Sequence, residues 1–343
     1  MAKLLFITQK VDQQDHVLGF VCDWIREFSL NFDSVVVVCL QRGQYSQPSN
    51  VRVISLGKEK GGSRLGYLAH FYSIIWKERN NYDGVFIHMN PIYGILGSVF
   101  WRLSKKKIVL WYTHISDTFK LRVAELMVDR IVTADKSSFP LLSEKVLATG
   151  HGIDTRFFKK EEAVHSRANS ILFLGRISPV KRHLLLIESL KILNERGLDF
   201  YCNIMGDYAL SHRSYFLELK KMITDYNLNG KIEITNPVDY QMLPEVFNSY
   251  SLLASFTKAG SYDKAVLSAM ACEVPVVTTN RAFEDAGGMR IVSDNPIEIA
   301  DSLEVVFNMS ETDRESLGKE ERVFVEKKHN LTGLVKKIRS LYG

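Results

Sequence analysis

The stretch Ser170-Ile-Leu-Phe-Leu-Gly-Arg-Ile-Ser-Pro-Val-Lys181 divides into two parts, and a third follows it. Ser170–Gly175 is apolar without alternation, which suits a parallel strand buried on both faces. Gly175 allows a close turn, and Pro179 stiffens the loop that follows. Beyond Lys181, apolar residues recur at helical spacing from Arg182 to Arg196. A buried strand, a short polar loop and a helix form the repeating unit of an open α/β sheet.

The same unit recurs on both sides. Upstream, Lys3–Thr8, Ser34–Leu40, Val51–Leu56, Gly84–His88, Ile108–Tyr112, Arg130–Ala134 and Lys145–Ala148 read as strands. Helical patterns over Leu18–Leu30, Leu65–Asn80, Gly94–Ser104 and Phe119–Met127 separate several of them. Downstream, Phe200–Met205, Ile232–Thr235, Ser251–Ala254 and Pro275–Thr279 continue the second series. The polar segment Lys159–Asn169 reads as the linker between them. The expected organisation is two Rossmann-like, doubly wound domains, 1–162 and 163–325, facing each other across a cleft. The last helical stretch, about Arg314–Tyr342, is expected to return to the first domain over about 326–343.

The chain of 343 residues, 46% apolar and 24% charged, has room for two such domains. No run approaches the roughly 20 apolar residues of a membrane span, and no signal peptide is expected at Met1–Thr8, which lacks a longer apolar run and a small-residue cleavage site. Cys22, Cys39, Cys202 and Cys272 are far apart, which suits reduced core thiols in a cytoplasmic protein rather than a zinc site. The net charge of +5 comes from the N-terminal third, where residues 1–110 hold 14 lysines and arginines against 8 acids. The cluster Arg102, Lys105, Lys106 and Lys107 suits an anionic membrane surface, a phosphorylated acceptor or an ordinary solvated helix end. Nucleic acid is not the expected partner, because the excess is modest and lacks interleaved aromatics.

Arg176 and Lys181 lie five positions apart beside a helix start, where positive charge and amides gather for a phosphate. The competing reading is a solvated basic loop. No G-x-G-x-x-G follows either first strand, which leaves out a dinucleotide fingerprint, and a Walker A loop is absent.

Gly175-Arg-Ile-Ser-Pro-Val-Lys181 before a helix resembles the donor-diphosphate signature of the GT4 glycosyltransferases, retaining enzymes of the GT-B fold. Gly150-His-Gly-Ile-Asp154 is similar to that family's segment before its second domain, and Ile204-Met-Gly-Asp207 to its Val-Gly-Asp-Gly turn. Gly260-Ser-Tyr-Asp-Lys-Ala-Val-Leu-Ser268, followed by Ala-Met-Ala-Cys272 and Pro275-Val-Val277, resembles the family's E-x7-E region. Neither glutamate is present: Gly260 stands at the first position and Ser268 at the second. The resemblance implies that Arg176 and Lys181 hold the donor diphosphate, and that His114, after Val109–Thr113, faces the transferred sugar. It implies donor contacts from Gly19, Gly175, Gly206, Asp207, Gly260, Ser261, Tyr262, Asp263, Lys264 and Ser268. Asp15, His16, His88 and Asn90 are the candidate acceptor contacts, each also readable as an ordinary loop or cap residue.

The expected activity is transfer of a hexose, with retention, from a nucleoside-diphosphate sugar to a hydroxyl of a glycan or lipid-linked saccharide. No Asp-x-Asp site appears, so no metal and no cofactor are expected. UDP, GDP and ADP donors all remain open. An epimerase on the same scaffold lacks its acidic catalytic set here. The other reading is a degenerate sugar-nucleotide-binding subunit, inactive without a partner, which the missing glutamates favour. The expected location is the cytoplasm, at or near the inner face of the membrane.

Overall fold

The computed structural model describes residues 2–258, 261–286 and 290–343, with the backbone alone at 290 and 291. The chain divides into two compact units. Unit 1 comprises residues 1–154, 239–241 and 329–343, and unit 2 comprises residues 155–238 and 242–328.

Unit 1 begins β1 (Lys3–Val11), α1 (Phe20–Asn31), β2 (Ser34–Arg42), β3 (Val51–Ser55), α2 (Arg64–Lys77) and β4 (Gly84–His88). It continues α3 (Pro91–Leu103), β5 (Lys107–Trp111), α4 (Phe119–Met127), β6 (Arg130–Thr133) and β7 (Val146–Ala148). The seven strands lie in the order β3-β2-β1-β4-β5-β6-β7, and every pairing is parallel. Alternate residues serve opposite faces, as the pleat requires. Leu4, Phe6, Val35, Val37, Phe86 and Trp111 join one core, while Leu5, Ile7, Val36, Val38, Ile87 and Leu110 join the other. Burial on both faces is why these strands read as unbroken apolar runs.

Unit 2 repeats the plan with β8 (Arg167–Leu174), α5 (His183–Glu195), β9 (Tyr201–Met205), α6 (Arg213–Asp225), β10 (Ile232–Thr235) and α7 (Leu243–Asn248). There follow β11 (Tyr250–Ser255), α8 (Lys264–Ala271), β12 (Val276–Thr278), β13 (Arg290–Ile291), α9 (Pro296–Phe307) and α10 (Glu311–Lys328). Its parallel sheet has the order β10-β9-β8-β11-β12-β13. The chain then rejoins unit 1 as α11 (Leu331–Ser340), whose Leu331, Leu334, Val335 and Ile338 enter the core beside Trp24 and Phe28.

Four expectations are corrected. The units part at Asp154, not residue 162. Arg322 donates to the carbonyls of Thr155 (3.0 Å) and Phe158 (3.1 Å), and Lys160 pairs with Glu315 at 2.7 Å, so residues 155–162 are fastened to unit 2. β8 starts at Arg167, inside the polar segment read as linker, because Arg167 pairs with Tyr250 and its guanidinium lies 3.8 Å over the Tyr201 ring. β1 runs on past Thr8 to Val11, since the backbone ladder to Arg42 needs no apolar side chain at Gln9 or Lys10. The C-terminal helical stretch is two helices, because Asn330 turns the chain and caps α11 through the amide of Gly333 at 2.6 Å.

Candidate functional site

In unit 2 the sheet reverses direction of growth between β8 and β11: β9 lies beyond β8 and β12 beyond β11. The loops after these two strands therefore diverge and leave a crevice at the carboxyl edge, the usual ligand position in open α/β sheets. The loop after β8 carries Gly175, Arg176 and Lys181, and the loop after β11 leads to Ser261–Lys264.

Gly175 adopts φ +142°, a conformation side chains rarely tolerate. Its amide donates to Met205 O at 3.0 Å, and the Ile177 amide donates to Asp207 O at 2.7 Å. The loop thus runs along the end of β9. A Cβ at Gly206 would lie 2.0 Å from the Gly175 carbonyl oxygen, so glycine is required there by backbone approach. Ile177 is buried and anchors the loop, while Arg176 beside it is exposed and forms no ion pair among the described residues. Lys181 ends a 3₁₀ turn. Arg182 follows in the left-handed region (φ +61°), held by an ion pair with Asp294.

Lys181 reaches across the crevice to the carboxylate of Asp263. Asp263 is the N-cap of α8, accepting from the Ala265 amide at 3.0 Å. The Ser261 carbonyl accepts from Asn280 at 2.9 Å, and the Tyr262 ring packs edge-on to Phe283 with centroids 5.0 Å apart. Lys264 is the first residue of α8, and Ser268, one turn on, is buried. Asp207 is exposed. Gly260 lies outside the described residues. Sequence reasoning missed Ser255 and Thr257, whose hydroxyls stand 3.4 and 3.5 Å from Asp263, and also His183. His183 begins α5 against Phe173, and burial pushes its ring down to about 4, so it is neutral and adds no charge to the loop.

Unit 1 has the same switch between β1 and β4. Gly19 precedes α1 where a Cβ would meet the Tyr240 Cβ at 2.5 Å and the Asp15 carbonyl at 2.7 Å. Asp15 is occupied structurally, accepting from the amides of Val17 (2.9 Å) and Leu18 (2.7 Å) and from Lys10 (2.6 Å). Burial alone would raise its pKa, but these hydrogen bonds and the lysine charge outweigh that and lower it. His16 is exposed. His88 is a correction: expected at an open rim, it is 2% exposed, contacts Thr8 Oγ1 at 3.2 Å, and packs among Phe6, Phe20 and Trp24. The aromatic core of α1 draws it in. Asn90 occupies the N-cap of α3 without a side-chain capping bond. His114 is also displaced from expectation. β5 ends at Trp111, and His114 is exposed in the following loop, its Nδ1 accepting from the Ser116 amide at 2.9 Å.

Unit 2 thus presents an exposed arginine and a fixed lysine at a switch point, an arrangement suited to a polyanion. Among the described residues no group of three His, Cys, Asp or Glu side chains is placed to hold a metal ion. Residues 154–322 match the family model described as glycosyl transferases group 1. The chain is 23% identical over 239 residues to the capsular polysaccharide biosynthesis glycosyltransferase CapM of Staphylococcus aureus, covering 65% of this chain and 60% of that protein's length. Among solved structures, Anabaena HepE in complex with UDP and glucose superposes with a TM-score of 0.76 at 16% identity, covering 99% of both chains. A glycosyltransferase from Rickettsia africae gives 0.73 at 17% identity, covering 98% of this chain and 97% of that one. The two-domain α/β architecture with parallel sheets is that of GT-B glycosyltransferase structures.

Proposed function

We propose that this chain is a metal-independent glycosyltransferase of the GT4 type, moving a hexose from a nucleoside-diphosphate sugar to a hydroxyl of a glycan or lipid-linked saccharide with retention. The observation that carries the reading is the pair of cations at the β8/β11 switch point, held on a loop that turns at Gly175 (φ +142°) and packs its carbonyl against Gly206. Negative charge grows on the diphosphate as the glycosidic bond breaks, and Arg176 and Lys181 stabilise it there. The acceptor hydroxyl attacks on the face the diphosphate leaves, and the diphosphate takes its proton. The residues that the family resemblance assigns to the acceptor side, His114 among them, lie in unit 1. The match to HepE, solved with UDP and glucose, makes UDP-glucose the first donor to test.

The test is a thermal-shift series with UDP, GDP and ADP and their sugars, followed by turnover of labelled donors with and without EDTA. A nucleotide at 100 times its Kd adds about 2.7 kcal/mol of stability. No shift with any of them rejects the reading, and strict metal dependence rejects the mechanism. The buried serine at position 268 favours a second reading, a sugar-nucleotide-binding subunit that is inactive alone. Nucleotide binding without turnover until a partner protein is added distinguishes it.

The membrane surface belongs to the same proposal. No helix among the described residues is long and apolar enough to cross a membrane. Neighbouring α2 and α3 expose apolar residues at helical spacing: Leu65, Tyr72 and Trp76 on α2, and Val99 and Leu103 on α3. Trp76 and Phe100 rings join the two helices at 5.8 Å. Lys77, Arg79, Arg102, Lys105 and Lys107 are exposed near the same helix ends, which suits an anionic interface. The protein is expected to sediment with phosphatidylglycerol vesicles and not with phosphatidylcholine, and Leu103→Asp to weaken this. Equal sedimentation with both lipids removes the membrane part alone.

A further inference from the structure

We propose that Asp263 is the positioning residue for Lys181: its carboxylate holds the ammonium across the β8/β11 switch point, leaving Lys181 fixed and Arg176 free. This rests on the diphosphate reading above and changes the part given to Asp263, from donor contact to holder of a cation.

The geometry is specific. Asp263 lies beyond β11 and Lys181 beyond β8, so the pair spans 82 residues of sequence and ties the two diverging loops together. The two side chains are 13% and 21% exposed. A lysine ammonium withdrawn this far from water is costly without an opposite charge, and Asp263 supplies it. The lysine stem reaches its partner over Gly175: a Cβ there would lie 3.0 Å from Lys181 Cε and 3.4 Å from Nζ. Gly175 therefore leaves the corridor through which the stem passes. On the other side, Ala265 N at 3.0 Å and the hydroxyls of Ser255 and Thr257 at 3.4 and 3.5 Å orient the carboxylate. A carboxylate so engaged would repel a diphosphate if it faced one directly. Its use is to aim the lysine.

Arg176 is the contrast, exposed on the same loop with no ion pair among the described residues. The two cations then divide the work. Both stabilise the charge as it develops, but Arg176 also attracts the diphosphate on arrival from solvent, while Lys181 depends on a preset position.

Asp263→Asn tests this, because asparagine caps a helix as well as aspartate does while removing the charge. Release of nucleoside diphosphate is measured from UDP-glucose, GDP-mannose and ADP-glucose. The variant is expected to keep its melting temperature and a KM within threefold of wild type while kcat falls at least tenfold. In a Lys181→Ala background the same change is expected to cost nothing further. An equal loss in both backgrounds, a loss confined to KM, or no loss at all overturns the proposal. A second measurement does not need turnover: acylation of lysines by an amine-reactive ester, mapped by mass spectrometry. Lys181 is expected to react at least fivefold faster in Asp263→Asn, with other lysines unchanged, and equal rates overturn the pairing itself. If no donor is turned over and UDP, GDP and ADP leave the melting temperature unmoved, the diphosphate reading fails and the positioning role with it. The labelling then reports whether the pair stands as structure alone.

Discussion

The two units place opposite chemistry on the same plan. Each has a parallel sheet that switches direction beside its first strand, β1 in unit 1 and β8 in unit 2. After β1 the loop is acidic and closed on itself: Asp12 and Asp15 both pair with Lys10, at 3.0 and 2.6 Å, and Asp15 also takes two backbone amides. After β8 the loop leaves Arg176 in solvent and sends Lys181 to a partner on another loop. A crevice comes with the strand order. Which ligand suits it depends on charges that the fold leaves free to vary, so the function is argued from the site rather than the scaffold.

Arg176→Ala is expected to show the largest effect and to mark unit 2 as the anion side. Loss of one stabiliser of developing charge costs about 2.7–4 kcal/mol of barrier, a fall of 100-fold or more in kcat. Steady-state release of nucleoside diphosphate measures it, with melting temperature as the control for folding. Near-normal turnover would erase the contrast between the loops.

A pair of glycine substitutions sharpens it. Gly206→Ala drives a Cβ to 2.0 Å from the Gly175 carbonyl, and Gly19→Ala drives one to 2.5 Å from the Tyr240 Cβ. Both overpack and are expected to cost about 1–3 kcal/mol of stability by urea unfolding. Only the Gly206 change displaces the loop bearing Arg176, so it alone is expected to weaken nucleotide binding by more than tenfold in calorimetry. Equal binding by both variants would separate that loop from the ligand.

The smallest effect belongs to Asp15. Hydrogen bonds and Lys10 depress its pKa in the folded state despite partial burial. The carboxylate therefore contributes stability above its unfolded pKa of about 3.9, and this is lost as pH falls through the lower folded value. Asp15→Ala is expected to cost about 1 kcal/mol near neutral pH, and less in the most acidic range. Urea midpoints at pH 7 and pH 3 check it. A pH-independent difference would mean that the charge of Asp15 does nothing for the loop.

The sequence by itself determined the class of fold and the position of the loop from Gly175 to Lys181. Both depend on short-range patterns: uninterrupted apolar runs for strands buried on two faces, helical spacing between them, and Gly175, Arg176 and Lys181 within seven consecutive residues. Tertiary structure decided whatever joins distant residues. That Lys181 meets Asp263, that Gly206 is dictated by the carbonyl of Gly175, and that residues 239–241 belong to unit 1 have no local signature. His88 ends a strand as a rim residue should, yet aromatic side chains of α1 and β1 enclose it. Strand ends shift for the same reason, since the ladder with β2 carries β1 across the polar Gln9 and Lys10 to the buried Val11. Periodicity records which face of an element is buried, whereas partners across a crevice are chosen only when the sheet brings its carboxyl ends together.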